Sequence, residues 1–186
     1  MKIVLASNNQ GKLAELQALF GELGVELVPQ AALGIPEAEE PHHTFLENAL
    51  TKARHASRHS GLPAIADDAG LCVDAFDGQP GVQTAYYATQ FGYAKSDDNN
   101  VRALLEQMQG VDQRRAAMVS TLVAVRSPDD PEPLVAVGRV VGEIAREPMG
   151  EEGFGFDPVM WIPALGKTLG EVTPEREHLS RGGPLL

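Results

Sequence analysis

Residues 2–28 have the sequence KIVLASNNQGKLAELQALFGELGVELV, in which two apolar segments flank a segment with helical periodicity. Residues 2–6 form an apolar run without polar alternation, which is typical of a strand covered on both faces in a parallel or mixed sheet. Leucine and phenylalanine then recur at helical spacing over 13–23, Gly24 suits a helix C-terminus, and 25–28 is a second apolar run. A strand, a helix and a strand in this order predict the first unit of an α/β sheet.

Helix and strand patterns continue to alternate along the chain. They predict a helix from the capping box of Thr44 and Glu47 to Gly61, a strand over 64–66 that ends at Asp67-Asp68, a helix over 101–108, and strands over 116–125 and 134–144 joined by a proline-rich turn. Strands that alternate with helices and then form a hairpin predict an α/β fold with a mixed sheet flanked by helices. We expect one domain over residues 1–186.

The composition is that of an ordinary globular protein, with 43% apolar and 22% charged residues. The 15 basic and 26 acidic side chains give a net charge of −11, which disfavours binding to a nucleic-acid polymer. This charge also disfavours a small phosphorylated ligand unless a divalent metal ion and local cations offset it. No apolar run approaches the ~20 residues that span a bilayer, so no membrane partner is expected. Cys72 is the only cysteine and no signal peptide is recognisable, which favours a cytoplasmic location.

The junction between the first strand and the first helix is a candidate phosphate site. It has the sequence Ser7-Asn8-Asn9-Gln10-Gly11-Lys12. Unpaired amides at a helix N-terminus, the positive end of the helix dipole, a glycine and a lysine together suit an anionic phosphate group. The alternative is a helix capped by Asn8 or Asn9 with a solvated Lys12.

Two acidic clusters are candidate metal ligands. Glu37, Glu39 and Glu40 lie in a proline-bounded loop, and Asp67 and Asp68 follow an apolar strand. Mg²⁺ prefers oxygen ligands and is often bound by one or two carboxylates together with substrate phosphates. Because neighbouring residues of a strand point to opposite faces, only one of the two aspartates is expected to face such an ion. The alternative for each cluster is a solvated surface, and the sequence does not decide whether Glu37 or Glu39 assists Glu40.

The segment Gly153-Phe154-Gly155-Phe156-Asp157-Pro158 is a candidate nucleobase site. A base needs a flat apolar partner and backbone groups at its edge, and glycine lets the chain supply both. The alternative is that Phe154 or Phe156 belongs to the core. The histidines, among them His42, have no third ligand at a metal-binding spacing and are assigned no catalytic role.

Five separated segments of the chain form one larger pattern: 6–12 (ASNNQGK), 45–53 (FLENALTKA), 64–71 (AIADDAGL), 80–82 (PGV) and 153–158 (GFGFDP). Together they resemble the noncanonical purine NTP pyrophosphatases, the inosine/xanthosine triphosphate pyrophosphatase or Ham1-like family. The resemblance implies an elongated mixed sheet in two lobes with a central cleft, and a homodimer. It also implies Mg²⁺-dependent hydrolysis of dITP, ITP or XTP to the monophosphate and pyrophosphate, which removes deaminated purines from the nucleotide pool.

The resemblance further implies roles for individual residues. Asp68 is expected to accept a proton and, with Glu40, to bind Mg²⁺. Lys12 and Lys52 are expected to place cations at the phosphates and to act in catalysis. The implied substrate-binding residues are Ser7, Asn8, Asn9, Gln10, Gly11 and Lys12 at the triphosphate, Phe154, Gly155, Phe156 and Asp157 at the nucleoside, Arg176, Ser180 and Arg181 at the base, and Ala69.

Two segments depart from the family pattern. Tyr86 stands where the family usually has an arginine, so a cation is missing from that loop. In the tail, Arg176 replaces a lysine, no histidine separates Ser180 from Arg181, and the closing helix is expected to be missing or altered. Arginine and lysine are not equivalent at a hydrogen-bonded site. Because the tail is expected to contact the 6-oxo edge of the purine, we predict a weakened preference for ITP over ATP or GTP.

Two other functions remain open at this stage. A Maf-like nucleotide pyrophosphatase would share the phosphate chemistry and differ in the base that it accepts. A catalytically silent nucleotide-binding protein would keep Lys12 and the aromatic residues without turnover. The hydrolase interpretation requires Glu40 and Asp68 to face one site and Lys12 to face the same site.

Overall fold

A computed structural model describes residues 1–7 and 9–172 of the chain. Within them lie three α-helices, α1 (Gln10–Gly21), α2 (Phe45–Ser60) and α3 (Asp97–Gln107), and seven strands, β1 (Lys2–Leu5), β2 (Glu26–Pro29), β3 (Ala64–Val73), β4 (Arg115–Val125), β5 (Leu134–Ile144), β6 (Met160–Ile162) and β7 (Lys167–Thr168). None of the helices in this described part has the length and apolar composition to cross a membrane.

The strands form one sheet in the order β2-β1-β3-β4-β5-β6-β7. β1 is parallel to β2 and to β3, whereas β6 is antiparallel to β5 and to β7. The predicted α/β fold with a mixed sheet and flanking helices is therefore confirmed. The central cleft between lobes stays a prediction.

The N-terminal strand, helix and strand form as predicted. Leu16 is the buried residue of α1, whereas Leu23 is 72% exposed. The helix ends at Gly21, and the N–H of Gly24, which has a φ of 73°, donates to the carbonyl oxygen of Gly21 at 3.1 Å. The periodicity over 13–23 therefore overstates the buried face, because Leu23 lies beyond the last helical turn.

β3 passes without interruption through Asp67 and Asp68. The prediction that the strand ends at these acids is therefore wrong. Aspartate is depleted in strands, which favoured an early end. In the fold, each acid has a lysine nearby, Lys12 at Asp67 and Lys52 at Asp68, and opposite charge offsets part of the cost of burying a carboxylate.

The chain forms two compact units, and the first comprises Met1–Asp68 and Thr121–Val137. α2 packs on the strands of this unit through Ala49, Ala53 and Ala56, whose cluster includes Val4 of β1. α1 packs through Leu16 in a separate cluster that includes Leu5 of β1. Consecutive residues of β1 thus enter two different apolar clusters, which explains why the strand has no polar alternation.

The second unit comprises Ala69–Ser120 and Gly138–Leu186, of which the structure describes residues up to 172. Its core includes Leu71, Met108 and Phe156. The predicted helix over 101–108 is confirmed as α3. A 3₁₀ segment over Gly81–Phe91 and the short strands β6 and β7 were not predicted, because short elements carry too few residues to show a period.

The predicted connection between β4 and β5 is organised by the buried Asp130. Its Oδ2 accepts a hydrogen bond from the N–H of Arg126 at 2.9 Å, and its Oδ1 accepts one from the N–H of Glu132 at 2.9 Å. The Arg126 guanidinium also donates to Oδ1 at 3.0 Å. These donors hold the pKa of the Asp130 carboxyl well below its usual range.

Candidate active site

The first turn of α1 is capped by Asn9. The Oδ1 of Asn9 accepts a hydrogen bond from the N–H of Lys12 at 3.0 Å, and the Oγ of Ser7 accepts one from the N–H of Asn9 at 3.2 Å. Gln10 and Gly11 occupy the first two helical positions, whose amides have no acceptor within a helix. Both residues are exposed. The segment therefore combines a cap, as the alternative interpretation has it, with amides that suit an anion.

Lys12 is not a solvated lysine. Its Nζ lies 3.5 Å from Oδ2 of Asp67, and its side chain is 25% exposed. An ammonium group has three donors, so one partner leaves capacity for a phosphate oxygen. The structure places Lys12 against Asp67, the neighbour of Asp68 in β3. That Lys12 also faces the site of Glu40 and Asp68 stays a prediction.

The loop that carries Glu40, the acidic loop over residues 36–42, is held by Lys52 and Asn48 of α2. The Nζ of Lys52 lies 2.9 Å from Oε1 of Glu40. One turn earlier, the Oδ1 of Asn48 accepts from the N–H of His42 at 3.0 Å, and its Nδ2 donates to the carbonyl oxygen of His42 at 3.3 Å. The same side of the helix therefore binds both the backbone of the loop and its carboxylate. The capping box of Thr44 and Glu47 that starts this helix is confirmed, since the Oγ1 of Thr44 accepts from the N–H of Glu47 at 3.1 Å.

Asp68 has surroundings that disfavour its ionised form. Burial raises its pKa to about 6, and the charges of Glu40 and Asp67 act in the same direction. Lys52 and the Asn48 amide act against this rise. The Oδ2 of Asp68 is buried and has no hydrogen-bond partner among the described residues. Because a buried polar atom without a partner is costly, this oxygen indicates a place where a proton, a water molecule or a cation completes the site.

Glu40 and Asp68 are the carboxylates that could share a metal ion. The charge of Glu40 raises the pKa of Asp68, so the two groups interact across the site. In residues 1–7 and 9–172, no group of three or more His, Cys, Asp or Glu is placed to hold a metal ion. Mg²⁺ can be bound by one or two carboxylates when substrate phosphates and water supply the other ligands. The unpartnered Oδ2 of Asp68 fits this arrangement.

The glycine-rich segment lies in the second unit and exposes one of its two rings. Phe156 is 1% exposed and packs edge-on against Tyr87, with ring centroids 6.3 Å apart. Phe156 therefore belongs to the core, as the alternative interpretation proposed, and offers no ring face to a ligand. Phe154 is 57% exposed, in contrast to Phe156. Asp157 is fully buried, and its Oδ2 accepts a hydrogen bond from the N–H of Phe154 at 3.0 Å. Contact of Phe154 to Asp157 with a nucleoside stays a prediction.

Other predicted site residues are exposed or fall outside the described residues. Ala69 is exposed and follows Asp68 in β3. Residues outside the described ranges are Asn8, Arg176, Ser180 and Arg181. Sequence reasoning missed Asn48 as the residue that holds the acidic loop through the backbone of His42. The spacing of four residues between Asn48 and Lys52, which puts both on one helix face, is the signal that could have found Asn48.

The fold and this group of carboxylates and lysines define an α/β protein whose first unit carries a site suited to a phosphorylated ligand. Comparison of the sequence with models of known protein families identifies the family within this class. The chain belongs to the Ham1 family, whose model matches residues 3–181.

Relatives and solved structures agree with this membership. The chain is 76% identical over 184 residues to a protein of Acidovorax sp. (strain JS42) named dITP/XTP pyrophosphatase, with 98% of this chain and 90% of that protein covered. It is 56% identical over 185 residues to a protein of the same name from Methylibium petroleiphilum, with 95% of this chain and 89% of that protein covered. The structure of a HAM1 protein from Coxiella burnetii matches with a TM-score of 0.92 at 40% identity, covering 97% of this chain and 91% of that one.

Proposed function

We propose that the protein is a nucleoside triphosphate pyrophosphatase that hydrolyses dITP, ITP and XTP to the monophosphate and pyrophosphate. In this role it removes deaminated purines from the nucleotide pool. The observation that carries the proposal is Asp68, a carboxyl with a pKa of about 6 and an unpartnered buried oxygen beside Lys52 and Glu40. The names of relatives that are 76% and 75% identical support the same substrate class.

The residues of the first unit have distinct tasks in this reaction. Asp68 orients the attacking water and accepts its proton as the water oxygen bonds to the α-phosphorus, and its pKa of about 6 suits a base near neutral pH. The bond from the α-phosphorus to the bridging oxygen breaks, and pyrophosphate leaves. Lys12 and Lys52 offset the charge on the phosphate oxygens, and the first amides of α1 bind one of them. The substrate needs these cations because its reacting phosphorus already carries negative oxygens.

We assign Mg²⁺ to Glu40 and Asp68. When bound, the ion neutralises phosphate charge and helps to align the triphosphate. The net charge of −11 repels a free triphosphate, so without a divalent cation the site should bind it poorly. Activity should therefore disappear in EDTA, and turnover that survives EDTA would remove Mg²⁺ from the proposal.

The first experiment identifies the product. Incubation with ITP and Mg²⁺ should release pyrophosphate and IMP, and release of orthophosphate would contradict the proposed cleavage.

Asp68→Asn should fold and show no turnover, and an active variant would exclude Asp68 as the proton acceptor. A panel of ITP, XTP, dUTP and dTTP separates this activity from a Maf-like one, and the absence of any turnover would indicate a silent nucleotide-binding protein.

The altered tail leads to a separate prediction about base selectivity. Arg176, Ser180 and Arg181 carry only part of the family's tail pattern. We expect a weakened preference for ITP over ATP or GTP, measured as the ratio of kcat/KM values. Strong ITP selectivity would contradict this expectation.

Location and assembly complete the proposal. The lone Cys72 is half-buried, and burial raises the pKa of its thiol, which is consistent with a reduced cysteine in the cytoplasm.

The first strand positions of β5 expose apolar side chains, with Leu134 75%, Val135 51% and Val137 58% exposed. Val135 and Val137 lie on the same face of the strand, and apolar groups exposed on one face favour burial against a partner, which supports a homodimer. Val137→Lys should shift the mass measured by light scattering toward the monomer, and an unchanged dimer would exclude this surface.

A further inference from the structure

Two carboxylates hold consecutive amides of the glycine-rich segment in the second unit. The N–H of Phe154 donates to Oδ2 of Asp157 at 3.0 Å, and the N–H of Gly155 donates to Oδ2 of Asp97 at 2.9 Å. Asp157 belongs to the segment itself, whereas Asp97 lies 58 residues away in the first turn of α3. The hydrogen bond from Gly155 therefore fixes the segment to a separate element of the fold.

The backbone on either side of Phe154 has conformations that only glycine adopts readily. Gly153 has a φ of 74° and Gly155 a φ of 59°. A Cβ atom at Gly153 would also overlap the carboxylate of Asp157. The main chain at Phe154 is thus fixed from both sides, while its ring is 57% exposed. A ring held in advance loses little freedom when a flat ligand stacks on it.

Asp97 is not needed as the cap of α3. That position belongs to Ser96, whose side chain accepts a hydrogen bond from the N–H of Asn99 at 3.0 Å. Asp97 is exposed, and its Oδ2 accepts the hydrogen bond from the N–H of Gly155. A charged acceptor makes a stronger hydrogen bond with an amide than a neutral one, and a negative charge is stabilising near the N-terminus of a helix such as α3.

We propose that Asp97 is a positioning residue that fixes the Phe154 ring for the nucleoside. This inference rests on the proposed function, in which the glycine-rich segment binds the nucleoside of dITP. Asp97 acts through the amide of Gly155 and does not touch the phosphates. Its loss should weaken binding of the nucleoside and leave the chemical step nearly unchanged.

Asp98 provides a matched control for the test. It occupies the next position of the same helical turn, is also exposed, and carries the same charge. Steady-state kinetics with dITP and Mg²⁺ should show KM raised about 5- to 20-fold in Asp97→Ala, with kcat changed by less than about twofold. Asp97→Asn keeps an oxygen acceptor and should recover part of the loss, whereas Asp98→Ala should match the wild type.

Two further measurements separate positioning from a general structural effect. In a Phe154→Ala background, Asp97→Ala should raise KM no further, because its effect passes through the ring. Inorganic tripolyphosphate, which has no nucleoside, should inhibit the wild type and Asp97→Ala equally. Circular dichroism checks folding, and if Asp97→Ala does not fold, the smaller KM increase of Asp97→Asn carries the test.

Several results would overturn the inference. The inference fails if the KM of Asp97→Ala equals that of Asp98→Ala, or if Asp97→Ala lowers kcat with KM unchanged. It also fails if the KM increase of Asp97→Ala adds fully to that of Phe154→Ala. Weaker inhibition of Asp97→Ala by tripolyphosphate would also exclude a role limited to the nucleoside. In each of these cases the wild type still hydrolyses dITP, so the proposed function stands. A wild type that releases no pyrophosphate from dITP would instead overturn the proposed function together with the inference.

Discussion

Asp68→Asn is expected to stabilise the metal-free protein at neutral pH while it abolishes turnover. In the fold, burial together with the charges of Glu40 and Asp67 raises the pKa of Asp68 from 3.8 to about 6. The native state therefore holds this proton more tightly than the unfolded chain, and the ionised carboxyl destabilises the fold. Asparagine has nearly the same shape and carries no charge, so it removes this penalty.

The structure gives the size and the pH dependence of the effect. A rise of about two pKa units corresponds to about 3 kcal/mol at ~1.4 kcal/mol per unit. Because Asp68 is only partly buried, solvent screening reduces the expected gain to about 1 to 2 kcal/mol. Below about pH 4 the carboxyl is protonated in both states and the penalty is absent. The penalty grows as pH rises from about 4 to 6 and is constant above that range.

Urea unfolding in EDTA, followed by circular dichroism at several pH values, measures this difference. EDTA is needed because a bound divalent ion would neutralise the carboxylate of the wild type. Asp67→Asn is the matched control in the same strand, and it should destabilise the protein because Lys12 loses its partner. Equal stability of Asp68→Asn and the wild type near neutral pH, or a gain that persists in acid, would refute the assigned electrostatic environment.

Three other variants test neighbouring parts of the molecule. Lys52→Met should lower kcat by about 100-fold, because a cation is lost at the proposed phosphate site. It should also raise the pKa of Asp68 further in metal-free protein, and NMR titration of the carboxyl carbon that shows no rise would contradict the charge interaction between Lys52 and Asp68. Asn48→Ala removes two hydrogen bonds to the acidic loop and should lower the free energy of unfolding by about 1 to 3 kcal/mol, with urea unfolding as the measurement. Unchanged stability would show that Asn48 does not hold the loop. Gly153→Ala should raise KM for dITP and lower the melting temperature more than Gly166→Ala, since both residues have positive φ but only Gly153 lacks space for a Cβ. Equal effects of the two alanines would exclude the overlap as the cause.

The helix that holds the acidic loop was predictable because its signals are local. Thr44 and Glu47 form the capping box that their spacing indicates, and Gly61 ends the helix with a φ of 72°. The alanines at helical spacing are buried as expected. Local hydrogen bonds and a regular apolar face decide such an element, so little depends on the rest of the chain.

The surroundings of the two aspartates were less predictable because they depend on distant residues. The composition of β3 argued against a strand at Asp67 and Asp68, but lysines from α1 and α2 lie beside them. The alternation of a strand did predict that the two acids would have different surroundings, and Lys12 is paired with only one of them. Sequence alone could not show Asn48 holding the backbone of His42, since that contact depends on the path of an irregular loop.

The unequal burial of Phe154 and Phe156 bears on attempts to redesign which nucleotides the protein accepts. Phe156 fills part of the apolar interior, so changing its size would disturb packing throughout the second unit. Phe154 projects from a main chain that neighbouring glycines and carboxylates already hold, and a substitution of its side chain should leave folding nearly intact. A mutant library confined to position 154 would therefore vary the surface that we propose contacts the base, on an unchanged scaffold.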